Sequence, residues 1–234
     1  MNTRLKSCHV EPKNDLYFEE IGHCFEKWAS SYDEFRRATV ILNLLPPNSA
    51  NLTCLEVGCG YGAISKSLRK VVKTLTVCDI SAKLAEKTGA RLGVEWLQED
   101  ACSLGIEDGA YDLVVSSECI EHTSSPARAI RELARVTGRG GTTVITSPNK
   151  LWYPILSLAQ SMKCRKFSGK ENWLFPWQAK HLLLSSGESA IKLRGCHLFP
   201  WQIPGAKRVL PNLEKKLQCL SGIMINYAIA GKRA

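Results

Sequence analysis

Apolar residues recur along the chain in two alternating rhythms. Leu16, Ile21, Cys24, Phe25 and Trp28 fall at near-helical spacing, and Tyr32, Phe35, Ala38, Ile41, Leu42 and Leu45 continue it up to Pro46-Pro47, which predicts two amphipathic helices. Leu52–Val57 is a short apolar run that halts at a glycine turn, and Ala63, Ile64, Leu68 and Val71 follow at helical spacing, so a buried strand feeds a helix. The alternation repeats with strands over Thr74–Asp79, Val94–Gln98, Tyr111–Ser116 and Thr142–Ser147. One helix opens at Ser81 as its N-cap; another opens at Ser125, takes Pro126 as its first residue and stops at Gly138. Strands alternating with helices predict an α/β fold, a parallel sheet with helices on both faces.

After Asn149 the rhythm breaks. Leu151–Met162 is aromatic and apolar, residues 163–172 are basic and polar, and a further helix starts near Pro176. Two more strands, Ile191–Phe199 and Ile223–Ala230, flank a stretch in which Leu210, Leu213, Leu217 and Leu220 recur at helical intervals.

Composition adds little until it is divided along the chain. Nothing approaches the ~18 consecutive apolar residues of a membrane span, and the polar N-terminus has no signal-like apolar core, so a cytoplasmic protein is expected. Ten cysteines lie scattered without a C-x-x-C pair, some inside predicted core strands (Cys54, Cys78), which reads as reduced, mostly buried thiols. The net charge of +9 is unevenly placed: residues 151–234 hold thirteen Lys/Arg against three Asp/Glu, while the rest is balanced. That basic third suits an anionic substrate, an anionic lipid surface or nucleic acid, or it is a solvated face.

The candidate chemistry begins at the first glycine turn. Gly58, Gly60 and Gly62 allow the backbone to approach a ligand closely, and the following helix offers free amide donors. A nicotinamide-binding loop is usually spaced G-x-G-x-x-G, one residue out of register with this one. Glu56 directly before the loop would oppose a dinucleotide pyrophosphate but suits a cation, and Asp79, 23 residues later, ends the second strand where an acid accepts hydrogen bonds from ribose hydroxyls.

Leu55-Glu-Val-Gly-Cys-Gly-Tyr-Gly62, Val77-Cys-Asp-Ile-Ser81, Gln98-Glu-Asp-Ala101, Tyr111-Asp-Leu-Val-Val-Ser-Ser-Glu-Cys-Ile-Glu-His122 and Gly140-Gly141 occur in an order and spacing that resemble the class I S-adenosylmethionine (SAM) dependent methyltransferases, particularly the ubiquinone-biosynthesis O-methyltransferase-like group. The resemblance covers roughly residues 16–185. It implies a Rossmann-like fold whose mostly parallel sheet has seven strands, the last antiparallel. It also implies SAM as cofactor, held by Glu56, Gly58, Gly60, Gly62, Asp79 (ribose), Ile80 (adenine face), Asp100 and Ala101 (adenine edge) and Glu118 at the ligand mouth. Residues 1–50 would form a helical lid in which Trp28–Tyr32 folds over SAM, 51–149 the SAM-binding core, and 150–234 a substrate-side insertion with the closing strands.

Glu118, Glu121 and His122 form an E-x-x-E-H unit whose i, i+3 and i+4 positions would share one face of a helical turn. Similar units in some relatives bind a divalent ion with a further histidine, but just before Phe175-Pro176 this chain has Glu171-Asn172, so no metal is expected. Glu118 and His122 are the catalytic candidates; His122 either deprotonates an acceptor hydroxyl or packs beneath the site floor. His9, His23, His181 and His197 lack a motif and read as surface or structural residues.

The expected reaction is methyl transfer to an oxygen, and second to a nitrogen, of a small anionic, aromatic or lipid-like metabolite. Trp152, Tyr153, Trp173, Phe175 and Trp177 either line an acceptor pocket or pack the insertion. The Lys207–Leu220 segment either makes a peripheral membrane contact or forms a lid helix facing the core. An RNA 2′-O-methyltransferase is the alternative, weakened by the lack of an RNA-binding module. A non-catalytic SAM-fold binding protein and a nicotinamide oxidoreductase are the rivals from other classes.

Overall fold

The computed structural model describes residues 30–161 and 171–234, so the helix expected over Leu16–Trp28 and most of the polar stretch after Met162 lie outside the described residues. Among the described residues the strands are β1 (Thr53–Val57), β2 (Thr74–Asp79), β3 (Glu95–Gln98), β4 (Tyr111–Ser117), β5 (Thr137–Pro148), β6 (Glu188–Cys196) and β7 (Asn226–Arg233). The helices are α1 (Ser31–Leu42), α2 (Ser65–Leu68), α3 (Ala82–Leu92), α4 (Pro126–Val136), α5 (Tyr153–Ser161), α6 (Pro176–Ser185) and α7 (Ala206–Lys216). One sheet joins all the strands in the order β3-β2-β1-β4-β5-β7-β6. β1 to β5 pair in parallel, and β7 runs antiparallel to both β5 and β6, as the resemblance implied.

The period-2 alternation of the strands builds two cores. Leu55, Val57, Val114, Ile145 and Ile229 point to one face, where Ile130 and Leu133 of α4 and Leu183 of α6 cover them. Cys54, Leu113, Val115, Val144 and Ala228 point to the other, beneath Ala38 and Ile41 of α1 and Ala85 of α3. Each fully buried aliphatic side chain contributes about 1.5–3 kcal/mol, so the helices are fixed to the sheet chiefly by these stripes.

Local signals set the helix ends. Ser30, Ser81 and Ser125 each accept a backbone N–H with the side-chain hydroxyl at the N-cap, and Gly93 closes α3 in the left-handed region. Two boundaries differ from expectation. The helix after the glycine turn is a single turn, since Arg69 to Lys73 go over to turns as the chain bends toward β2. α4 ends at Val136 and β5 starts at Thr137, so Gly138 is no helix stop; Gly138–Gly141 instead carry a register shift between β4 and β5. The closing strands also sit away from the predicted ranges, β6 starting earlier and β7 later.

Cys54, Cys59, Cys78, Cys102 and Cys196 are buried free thiols, and Cys219 is exposed. Among the described residues no helix is long and apolar enough to cross a membrane.

Candidate functional site

The carboxyl ends of β1, β2 and β4 carry most of the predicted residues, the place where open α/β sheets bind ligands. The turn after β1 is anchored beneath: Gly58 and Cys59 donate backbone N–H bonds to the Cys78 carbonyl of β2 at 2.9 and 3.0 Å. Asp79 fastens it from the side, with one oxygen accepting the Gly60 N–H at 2.9 Å and the other the Ser81 N–H at 3.0 Å. An ionised carboxylate offers about four lone-pair sites, so acceptor capacity remains for a pair of hydroxyls. Burial raises the Asp79 pKa, against the pull of the Gly60 and Ser81 N–H bonds.

The glycines, all at positive φ, do different work. A Cβ at Gly58 would meet the Cys119 Sγ at 2.3 Å, and one at Gly62 would meet Thr88 of α3 at 2.7 Å. Those glycines let the turn pack against protein. A Cβ at Gly60 would meet nothing within 4 Å, so Gly60 is the position that leaves space for a ligand.

Glu56 is buried on β1 and its Oε2 has no hydrogen-bond partner. Burial pushes its pKa up to about 8, against the pull of the Ser65 hydroxyl, and nearby Asp79 adds to the rise. A buried carboxyl oxygen without a partner gains from a cation. Farther along the sheet end, the Ile80 carbonyl accepts from Gln98 Nε2 at 3.1 Å, Asp100 accepts the Cys102 N–H at 2.8 Å, and Ala101 is buried. Glu56, Gly60, Asp79, Ile80, Asp100 and Ala101 thus follow one another along the ends of β1, β2 and β3. An unpartnered acid, open space over a glycine and a carboxylate with spare lone pairs fit a ligand with a cationic group and a diol.

The turn after β4 is not the helical turn expected. Glu118 has φ +50, and a short 3-10 turn, Ile120–His122, follows it. A non-glycine residue there stores strain and re-aims its side chain. The Glu118 carboxylate accepts from Thr146 Oγ1 at 3.2 Å and from Asn226 Nδ2 at 2.9 Å. Glu121 turns inward, is buried, and accepts from Ser147 Oγ at 3.1 Å. Burial, and then the charge of Glu118, hold the Glu121 pKa far above the carboxylate range. His122 Nε2 lies 4.0 Å from Glu121 Oε1. The E-x-x-E-H residues therefore do not share a helical face, and among the described residues no group of three or more His, Cys, Asp and Glu is placed to hold a metal.

Helix α1 crosses above these ends. Glu34 accepts the Tyr61 hydroxyl, Arg37 donates to Ser117 Oγ at 3.3 Å and to Asp33 at 3.0 Å, and Arg36 pairs with Glu214 of α7. Asp33 also meets His197 Nε2 at 2.8 Å. His197, fully buried just after β6, is a residue that sequence reasoning set aside. Its signal was positional: it follows a strand at the ligand end of the sheet and stands among Phe199, Pro200 and Trp201.

The aromatic residues of the insertion largely serve packing. Trp173 is buried with its ring at a right angle to Tyr153, and Trp152 donates to the Ile223 carbonyl at 2.8 Å. Phe175 and Trp177 stack at 4.2 Å, with Trp177 59% exposed.

Residues 55–145 match a family described as a methyltransferase domain. The chain is 30% identical over 120 residues to the probable S-adenosylmethionine-dependent methyltransferase of Mycobacterium tuberculosis, covering 51% of this chain and 44% of that one. It is also 30% identical over 128 residues to the malonyl-[acyl-carrier protein] O-methyltransferase of Pectobacterium atrosepticum, covering 53% and 51%. The chain spans about half the length of these curated relatives. Among solved structures, a SAM-dependent methyltransferase and possible histamine N-methyltransferase from Thermotoga maritima superposes with a TM-score of 0.69 at 18% identity, over 93% of this chain and 98% of that one.

Proposed function

We propose that this chain, which matches a methyltransferase-domain family over residues 55–145 and resembles SAM-dependent methyltransferases, transfers a methyl group from SAM to an oxygen, and second to a nitrogen, of a small metabolite. The observation that carries this reading is the pairing of Asp79, which spans the Gly60 and Ser81 amides, with the buried Glu56 carboxyl beside it, whose Oε2 has no partner. Asp79 accepts the ribose hydroxyls with its remaining lone pairs. Glu56 faces the cationic methionine part, Gly60 leaves the backbone open toward it, and Gly58 and Gly62 hold that backbone in place. Ile80, Asp100 and Ala101 border the adenine, and Glu118, fixed by Thr146 and Asn226, closes the mouth.

When bound, SAM supplies a methyl group already activated by its sulfonium, so the protein contributes mainly alignment and exclusion of water. The thiols near the turn stay protonated: desolvation raises Cys59, Cys78 and Cys119 above the ordinary thiol range, so none competes as a nucleophile at neutral pH. A general base is optional for an amine or an acidic phenol, whereas a less acidic hydroxyl gains from one. The motif after β4 puts His122 forward for that role.

Calorimetry with SAM, S-adenosylhomocysteine and NAD tests the reading. Binding of the first two and none of the third is expected. Asp79→Ala should weaken SAM by ~100-fold, since charge-assisted hydrogen bonds are worth about 1.5–3 kcal/mol each. Unchanged affinity in Asp79→Ala would remove the ribose assignment, and binding of NAD alone would remove the reading altogether.

A further inference from the structure

Three buried polar atoms without a hydrogen-bond partner converge where α1 meets the segment after β6: the Tyr32 hydroxyl, Arg36 Nε and His197 Nδ1. His197 is fully buried and has φ +62, a conformation that costs energy and that glycine adopts more readily. Asp33 orients its ring through Nε2 at 2.8 Å. Against the upward push of burial, Arg37 and His197 keep the Asp33 carboxyl below its ordinary pKa, so it remains a carboxylate and can only accept. In its neutral form the imidazole so held carries its proton on Nε2, facing Asp33, and leaves a lone pair on Nδ1.

Two aromatic rings bound this imidazole. Tyr32 lies 6.0 Å away, centroid to centroid, and Trp201 lies 4.2 Å away. Trp201 also lines an open surface pocket of about 410 Å³ formed by the segment 201–208, in which Gln202, Ile203, Lys207 and Arg208 are exposed. Lys207 extends from the pocket to stand 5.6 Å above the Tyr32 ring. Arg37, bonded to both Asp33 and Ser117, ties the seam to the turn after β4. The pocket thus has two cations, an aromatic partition and, behind that partition, an oriented proton acceptor.

We propose that this seam is the acceptor site, that it takes an aromatic hydroxy acid, and that His197 rather than His122 receives the proton of the acceptor hydroxyl. The proposal rests on the methyltransferase reading above. The acid group lies against Lys207 and Arg208, and the acceptor ring takes the place of Trp201 beside the His197 imidazole once Trp201 turns aside. The O–H bond breaks and an Nδ1–H bond forms. The electron pair stays on the acceptor oxygen, the nucleophile, and Asp33 balances the imidazolium until solvent removes the proton. His197 is then a catalytic residue and Asp33 a positioning residue.

The test uses protein labelled with ¹⁵N-histidine and saturated with S-adenosylhomocysteine, titrated with 4-hydroxyphenylacetate and followed by ring-nitrogen NMR. His197→Gln assigns the His197 signals. Binding should shift the Nδ1 resonance of His197, and Lys207→Ala/Arg208→Ala should weaken that binding at least tenfold. Phenol, which lacks the acid, should bind as weakly to the wild type. The methyl ether, 4-methoxyphenylacetate, should bind yet leave Nδ1 with its lone-pair shift. In Asp33→Asn the Nδ1 response should shrink while affinity for the methyl ether stays unchanged, which a merely structural role would not produce. Absence of saturable binding, binding indifferent to Lys207 and Arg208, or a shift of His122 in place of His197 would each overturn the proposal. Failure of S-adenosylhomocysteine to saturate the protein would instead defeat the parent reading.

Discussion

The carboxyl of Glu56 should make SAM binding depend on pH in a manner set by one buried group. Burial on β1 raises its pKa to about 8, so it is mostly neutral in the free protein at pH 7. A cationic ligand favours the carboxylate, and binding should therefore expel the proton. For a pKa near 8 the ionised fraction rises from ~1% at pH 6.0 to ~24% at pH 7.5. If the carboxylate form binds, affinity tightens ~24-fold over that window, or ~1.9 kcal/mol. The upper limit lies below the ~7.7–8.0 at which an α-amino group loses its own charge, so the ligand remains cationic. Calorimetry at pH 7.0 in buffers of different ionisation enthalpy should show release of ~0.9 proton per SAM bound, following the same titration. Glu56→Gln should abolish both the release and the pH dependence. Affinity constant within about threefold from pH 6.0 to 7.5, with heats independent of buffer, would refute the reasoning.

Gly58→Ala should lower both thermal stability and SAM affinity, because the new Cβ would lie 2.3 Å from the Cys119 Sγ at a φ of +76; Cys119→Gly should restore part of the loss in a melting experiment. Leu133→Ala, at a fully buried position of α4, should cost about 2–5 kcal/mol in denaturant unfolding. Glu188 of β6 has its pKa raised to about 7, by burial above all. A raised carboxyl contributes stability that is complete below its unfolded pKa and is lost as pH rises through the folded value. Stability should therefore decline by ~1–3 kcal/mol as pH rises from about 4.5 to 7 and beyond, and Glu188→Gln should flatten that decline in melts run across the range.

The framework could be read from the sequence because it rests on period and punctuation. The apolar run Leu52–Val57 and the strand read at Tyr111–Ser116 matched β1 and β4, and Ser81, Ser125 and Pro126 marked the starts of α3 and α4. Strands paired over many residues tolerate errors at their ends, and β6 and β7 were recognised although their bounds moved. Residues whose role depends on distant partners were harder to read. Glu118 and Glu121 look equivalent in the motif, yet one turns through a positive φ toward Asn226 and the other turns inward to Ser147. That divergence comes from tertiary contacts between β4, β5 and β7, which no local pattern encodes. The glycines mislead in a similar way, since only the neighbours, Cys119 and Thr88, reveal that Gly58 and Gly62 make room for protein. His197 was overlooked because its partner Asp33 is 164 positions away.

Strand order has a consequence for how the protein is made. Of the described strands β7 leaves the ribosome last, yet it lies inside the sheet, between β5 and β6, and its first residue, Asn226, holds the Glu118 carboxylate. While β7 is still within the exit tunnel, β5 and β6 each present an unpaired edge, and Glu118 lacks one of its two ties. The nascent chain can therefore fold its glycine turn early but cannot complete the mouth of the site until synthesis reaches β7. Premature termination just before Asn226 would yield an open-edged sheet prone to pairing with other chains, and it would leave Glu118 without its Asn226 bond.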